Sequence, residues 1–455
     1  MRKPLRNLIL ALALLGGLFL AFWPGPPPEV QAVPSRPGVG RGGTTVVFRV
    51  REPSRGITGV RVEALHSGAA TALGERVFPP ASLWIWKKGE VETEVPVEVG
   101  PGTVPGLAEG EITIRATALG TGAWLLGPRA AVRDLQLPVR LALPQLGVLS
   151  RQNYAAQGGS GIVVYRVAEN VVETGGVDGV EAGGAFFPGL PLPGSGSATT
   201  RFALYGVPHD LTNDGEIQVV AEDPLGNRTA VTFVERYFPR PMKTDTIVLT
   251  ADFMGKVVPE ILSQNPELGD KGELLENYLA INRDLRAQNA ETLRELGARS
   301  RENFLWSGRF DPLPGGAPTS AFADRRTYVF EGREVDRQDH LGFDLASVRG
   351  APVPAANRGV VVLARYFGIY GNSVVLDHGA GLMSLYSHLS AIDVAPDQEV
   401  EKGQVIGRTG QTGLAGGDHL HFTLLIRGLP VNPIEWWDPK WIEDRILAKL
   451  SQTQP

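Results

Sequence analysis

The chain has 455 residues, too many for a single core and consistent with about two to four domains. Hydrophobic residues at 43% and charged residues at 20% describe a folded protein, and a net charge of −5 excludes a basic nucleic-acid footprint. The absence of cysteine removes disulfides, thiolate metal sites and cysteine nucleophiles, while 56 glycines and 35 prolines favour β-rich domains with many turns.

At the N-terminus Arg2, Lys3 and Arg6 precede an apolar run from Leu8 to Trp23, which the prolines from Pro24 to Pro28 close. Basic residues ahead of such a run hold its start in the cytoplasm and send the chain beyond it across the membrane. Residues 1–24 therefore read as a signal anchor or a cleaved signal peptide. The body is expected in the cell envelope outside the cytoplasm, tethered to the inner membrane, or secreted if the signal is cleaved. Residues 25–43 read as a Pro/Gly-rich linker.

Alternation then begins. In Thr44–Val50 the residues Val46, Phe48 and Val50 share one face. In Val91–Val99 the valines and Thr93 oppose Glu92, Glu94 and Glu98. Pro96 inside the second run assigns it to a sheet edge. The string Gly110-Glu111-Ile112 recurs as Gly215-Glu216-Ile217, an offset close to one immunoglobulin-like sandwich. Residues 44–142 and 145–240 are thus predicted to be two β-sandwich modules, available to protein partners. Between 255 and 305, leucines at helical spacing among Glu, Arg and Gln predict a helical connector.

Short apolar strands return in residues 306–442, as in Gly359–Ala364 and Leu382–Tyr386, and predict an antiparallel β domain. Five of the seven histidines lie here: His340, His378, His388, His419 and His421. His419 and His421 flank Leu420 in a strand-like run, so their imidazoles share a face. Either both bind a metal, or one binds it while the other sits beside its water. His340 and Asp344 can converge on one side of a turn or bend at Gly342. With His421 they complete a two-histidine, one-carboxylate set that leaves a position open, the arrangement of a catalytic rather than a structural zinc site. His388, in Tyr386-Ser387-His388-Leu389, could orient or deprotonate the water. His378, His66 and His209 are expected to be structural or ordinary surface residues, and Trp436, Trp437 and Trp441 to cap the sheet.

Residues 320–436 resemble the LytM/lysostaphin-type zinc metalloendopeptidases of bacterial cell walls. The resemblance rests on His340-x-x-x-Asp344, Gly371-Asn372, Asp377-His378-Gly379, Tyr386-Ser387-His388-Leu389, Gly403–Gly407, Gly410-x-Thr412-Gly413 and His419-Leu420-His421-Phe422. Arg325-Arg326-x-Tyr328 also looks like the stretch ahead of the first ligand. Asp418 departs from the proline usual there and puts the local loop shape in question. The resemblance implies Zn2+ held by His340, Asp344 and His421, with His388 and His419 as catalytic histidines. It implies hydrolysis of peptide cross-links in peptidoglycan. The rival expectation is a non-catalytic module of the same fold that binds and activates a separate wall hydrolase. The whole chain is then mostly β and multidomain: membrane segment, two sandwich modules, helical connector and C-terminal metallopeptidase domain.

Overall fold

A computed structural model describes residues 3–22, 26–79, 88–122 and 127–451. The fold is mostly β, and the chain divides into two compact units. The first comprises residues 1–145, 173–177 and 222–229, and the second 146–172, 178–221 and 230–455.

The N-terminal helix Lys3–Phe22 covers most of the apolar run; the end of that run at Trp23 and the first prolines lie outside the described residues. Among the described residues no helix is long and apolar enough to cross a membrane.

In the first unit a three-stranded sheet (Glu29–Pro34, Thr44–Arg51, Glu92–Val99) and a four-stranded sheet (Ala69–Val77, Ile57–His66, Gly110–Gly120, Ala130–Val139) contribute to one apolar cluster. Val46, Phe48 and Val50 are buried there with Val95, Val97 and Val99, the faces that alternation assigned inward. Pro96 sits opposite Val47 on an edge strand, where its missing N–H breaks no ladder. The expected linker is not all linker. Glu29–Pro34 pairs antiparallel with Thr44–Arg51, and Val30 and Ala32 pack on the cluster. Its short period-two pattern is hidden by the prolines and glycines on either side.

In the second unit residues 146–172, 178–221 and 230–232 supply most of two four-stranded sheets, ordered Leu190–Pro191, Thr200–Gly206, Ser160–Val167, Leu146–Val148 and Ala185–Pro188, Val177–Ala182, Ile217–Glu222, Arg228–Thr232. Helices Ala251–Gln264, Leu274–Ala280 and Arg286–Ala298 come next, the last two joined by a π-helical turn. Thr250 caps the first, its side chain accepting from Phe253 N–H.

The C-terminal sheet is antiparallel, ordered Ala317–Ser320, Phe343–Ala346, Leu420–Ile426, Leu382–Leu389, Asn372–Gly379, Gly359–Tyr366 and Glu399–Val400. Its central strands are buried on both faces, which is why they read as continuous apolar runs rather than alternating ones. On one face Val375, Met383, Leu385 and Leu425 cluster with Leu293 of helix Arg286–Ala298. On the other, Leu376, Leu382, Phe422 and Leu424 join a core that runs on into Ile162, Val164 and Phe202. The stretches 146–172 and 178–221 therefore share their core with the C-terminal sheet. Trp436 is fully buried in that core and donates from Nε1 to Ser160 Oγ at 2.9 Å, while Trp437 stacks on Phe422, so these two cap the sheet.

Candidate metal centre

Strand pairing brings the site together. Phe343–Ala346 and Leu420–Ile426 run antiparallel with Asp344 directly opposite His421. Ser387 is His421's neighbour on the other side, so His388 lies at the end of the next strand. The hairpin Asp324–Phe330 and Arg333–His340 delivers His340 at its terminus. Between His340 and Asp344, only a glycine fits at position 342. A Cβ there would lie 2.5 Å from His421 Nε2 and 2.6 Å from Thr423 Oγ1.

Three donor atoms converge. Asp344 Oδ1 is 3.0 Å from His340 Nε2 and 2.8 Å from His421 Nδ1, and the two nitrogens are 3.0 Å apart. All three residues are buried. The outward ring nitrogens fix the tautomers. His340 Nδ1 lies 2.9 Å from the Ala321 carbonyl, which can only accept, so Nδ1 carries the proton and Nε2 turns a lone pair inward. Thr423 Oγ1 gives its own proton to the Leu341 carbonyl at 3.0 Å and so accepts from His421 Nε2–H at 3.0 Å, leaving Nδ1 bare toward the centre. Two imidazole lone pairs and a carboxylate oxygen thus crowd one point, an arrangement that repels itself until a cation occupies it. The set fits a divalent metal with nitrogen and oxygen preferences, and its outer hydrogen bonds are the kind that orient metal-binding imidazoles.

The remaining histidines flank this centre. His388 Nδ1 donates to the Thr412 carbonyl at 2.8 Å and His419 Nδ1 to the Gly417 carbonyl at 2.8 Å, so both present Nε2 inward. Their rings are 4.9 Å apart. His388 is held at φ 61°, a left-handed conformation that L residues adopt only when their surroundings over-determine it. His419 Nε2 lies 3.5 Å from Asp344 Oδ1.

Burial opposes the charge on Asp344, yet the imidazoles that face it, His340, His419 and His421, outweigh burial and hold the carboxyl well below its usual range. Burial, helped by the charges of His419 and His421, pushes His388 well below the ordinary imidazole value. His421 is lowered by burial to about 4, partly offset by Asp344. For His419 burial also lowers, but the Asp344 hydrogen bond and charge prevail and raise it. The two flanking histidines are thereby driven apart, one toward the neutral form and one toward the protonated form.

Several residues around the centre had no role assigned to them from the sequence. Arg326, noted only as part of a matching stretch, donates to Ser320 Oγ at 2.9 Å and reaches Asp344 Oδ2 at 3.3 Å, holding the outer carboxylate oxygen. Tyr370 packs its ring 5.7 Å from His421. His209, expected to be an ordinary surface residue, pairs at 2.7 Å with Asp339, the residue just before His340 on its strand. It lines, with Pro208, Arg286 and Arg294, a 350 Å³ cavity whose wall includes His340 and His421. Asp418 accepts from Thr409 Oγ1 at 2.6 Å and from Gly350 N–H at 3.3 Å, so it pins the loop ahead of His419. His378 is completely buried between the Arg358 carbonyl and Ser384 Oγ, away from the centre.

Residues 338–433 match peptidase family M23, so the chain carries an M23 peptidase domain there. Among curated proteins it is similar to the peptidoglycan DD-endopeptidase ShyA of Vibrio cholerae, 34% identical over 187 residues, which are 40% of this chain and 40% of that protein. It is also similar to the DD-carboxypeptidase/endopeptidase Mpg of Neisseria meningitidis, 44% identical over 95 residues, or 21% of this chain and 22% of that one. The match thus spans less than half the length of either relative. Among solved structures, the catalytic domain of lysostaphin from Staphylococcus simulans is 26% identical with a TM-score of 0.24, covering 28% of this chain and 94% of that one.

Proposed function

We propose that this chain is a zinc-dependent endopeptidase that hydrolyses peptide cross-links of bacterial peptidoglycan. The observation that carries the reading is the convergence of His340 Nε2, Asp344 Oδ1 and His421 Nδ1, with both outward ring nitrogens already bonded and two further histidines facing the same point. The relatives named for DD-endopeptidase activity supply the substrate class.

His340, Asp344 and His421 would hold the ion. Bound there, zinc supplies Lewis acidity toward the scissile carbonyl and acidifies water to a pKa near 7. His388, kept neutral by burial and with its Nδ1 proton committed to Thr412, offers Nε2 as the base for the attacking water. His419, with its Nδ1 proton committed to the Gly417 carbonyl and its Nε2 facing the centre, is placed to hydrogen-bond the developing oxyanion when protonated and to hand that proton to the departing amine. Arg326 keeps the Asp344 carboxylate turned so that Oδ1 faces inward.

A metal-free module that only activates another hydrolase would not need this donor set or the hydrogen bonds that tune it. We further propose that the N-terminal helix serves export or anchoring, which places the body outside the cytoplasm, and that the β modules ahead of the peptidase domain offer docking surfaces to protein partners. The test is digestion of purified cross-linked wall by the full chain, with mass spectrometry of the released muropeptides. Cleaved cross-links that disappear with chelator and return with zinc support the reading, and intact cross-links at full zinc occupancy overturn it.

A further inference from the structure

A second cavity, of 330 Å³, lies where the C-terminal helices meet the strands Tyr154–Ala156 and Arg236–Phe238. At about 30 Å³ per water it has room for roughly ten waters, or for one ligand of amino-acid to dipeptide size. Its charges do not balance. Arg240 is matched by Glu435 at 2.6 Å, and Glu435 is completed by the Ser160 N–H at 2.8 Å. Arg445 and Lys449 are not matched: among the described residues neither forms an ion pair.

Lys449 is the unusual member. It is 2% exposed, and among the described residues its one hydrogen bond runs from Nζ to the Ile162 carbonyl at 3.0 Å. An ammonium has three N–H bonds, and a buried one is costly unless they find acceptors, preferably an anion. Burial, with the charge of Arg445, lowers its pKa to about 8, and Glu235 is the carboxylate that acts against this. The group is therefore still largely charged at neutral pH. Glu235 itself accepts from the Asn153 N–H. Arg445 is pre-positioned, its guanidinium carbon 4.5 Å from the centre of the Tyr154 ring, and its planar fork is the shape that pairs with a carboxylate.

We propose that this cavity binds a small organic carboxylate with an apolar or ring-bearing body, held by Arg445 and Lys449 and packed against Tyr154 and Trp441. Arg445 and Lys449 can share one carboxylate, and Glu235 already offsets part of the Lys449 charge, so a monoanion is enough to fill the cavity. The aromatic lining suits a ligand with a hydrocarbon body better than a bare inorganic anion. Peptide C-termini and free aromatic or aliphatic acids share this chemistry. The site lies apart from the metal centre, and the proposal does not depend on peptidase activity.

The experiment is isothermal titration calorimetry on the full chain with N-acetyl-alanyl-alanine, its C-terminal amide, benzoate and inorganic phosphate. At least one carboxylate should bind, with the amide and phosphate at least 10-fold weaker. Arg445→Gln and Lys449→Met should each reduce carboxylate affinity at least 10-fold. Arg445 is partly exposed, so its variant keeps the test sound if loss of Lys449 disturbs folding. Preference for the dipeptide over benzoate assigns the site to peptide ends, and the reverse preference assigns it to free acids. No carboxylate binding, equal binding of the amide, phosphate binding as tightly as the acid, or full affinity in Arg445→Gln would each overturn the proposal.

Discussion

Replacing His378 by glutamine separates a structural histidine from a functional one. His378 is fully buried, its Nδ1 donating to the Arg358 carbonyl at 2.6 Å and its Nε2 accepting from Ser384 Oγ at 2.7 Å, with Phe310 edge-on to the ring. Burial lowers its pKa from 6.5 to about 4, outweighing the Arg358 hydrogen bond and the Asp377 charge that raise it. Proton counting gives the sign. Between those two values the unfolded chain binds a proton that the native state does not, so stability falls as pH drops below 6.5 and levels off below about 4. The full loss is about 3 kcal/mol, from about 2.5 pH units at 1.36 kcal/mol each, and at pH 5 it is about 2 kcal/mol. Glutamine does not titrate and can keep one donor and one acceptor. Urea unfolding of wild type and His378→Gln, each at pH 7.5 and pH 5 and monitored through the unit that holds residue 378, gives the four midpoints needed. The variant should be about 2 kcal/mol less acid-sensitive than wild type, while cleavage of cross-linked peptide at pH 7.5 stays within a few-fold. Equal acid sensitivity in both proteins would refute the burial argument, and a loss of turnover of roughly 10²-fold, the scale of a general acid or base, would make His378 a functional residue after all.

The metal centre yields further expected outcomes. His421→Ala and Asp344→Ala should each abolish stoichiometric zinc binding by elemental analysis together with activity; full zinc occupancy in either would show that the ligands are others. His388→Ala and His419→Ala should retain zinc yet lose roughly 10²-fold or more in turnover, as removal of a proton-handling group does, and wild-type rates would remove that residue from the mechanism. Thr423→Val keeps the shape but takes away the acceptor for His421 Nε2–H, freeing the imidazole to flip tautomer. Zinc affinity measured by competition with a chelator should fall by about 10- to 100-fold, and an unchanged affinity would mean that Thr423 does not set the tautomer.

The residues of the centre were legible because their chemistry is rare and their spacing is local. A histidine pair two apart on a strand must share a face, and His340 with Asp344 is close enough in sequence to share a turn. The alternating runs around Val46–Val50 and Val91–Val99 likewise fixed which side faces inward, since one face of each strand remains in water. Alternation could not show that Glu29–Pro34 is a strand, because its partner, not its own pattern, makes it one. Nor could it show that residues 146–172 and 178–221 share a core with the C-terminal sheet, because apolar residues that meet between elements look the same as those that meet within one.

Which imidazole nitrogen faces the centre was decided only by tertiary structure. The carbonyls of Ala321, Leu341, Thr412 and Gly417 come from four different loops or strand ends, and a backbone carbonyl carries no signature in the sequence. The same holds for Arg326 on Asp344 and His209 on Asp339, pairs separated by 18 and 130 residues. Sequence alone determined the donor types and the face they share, through backbone periodicity that acts over a few residues. Their tautomers, their protonation bias and the walls of the surrounding cavity depend on burial and long-range hydrogen bonds, which exist only once the chain has folded.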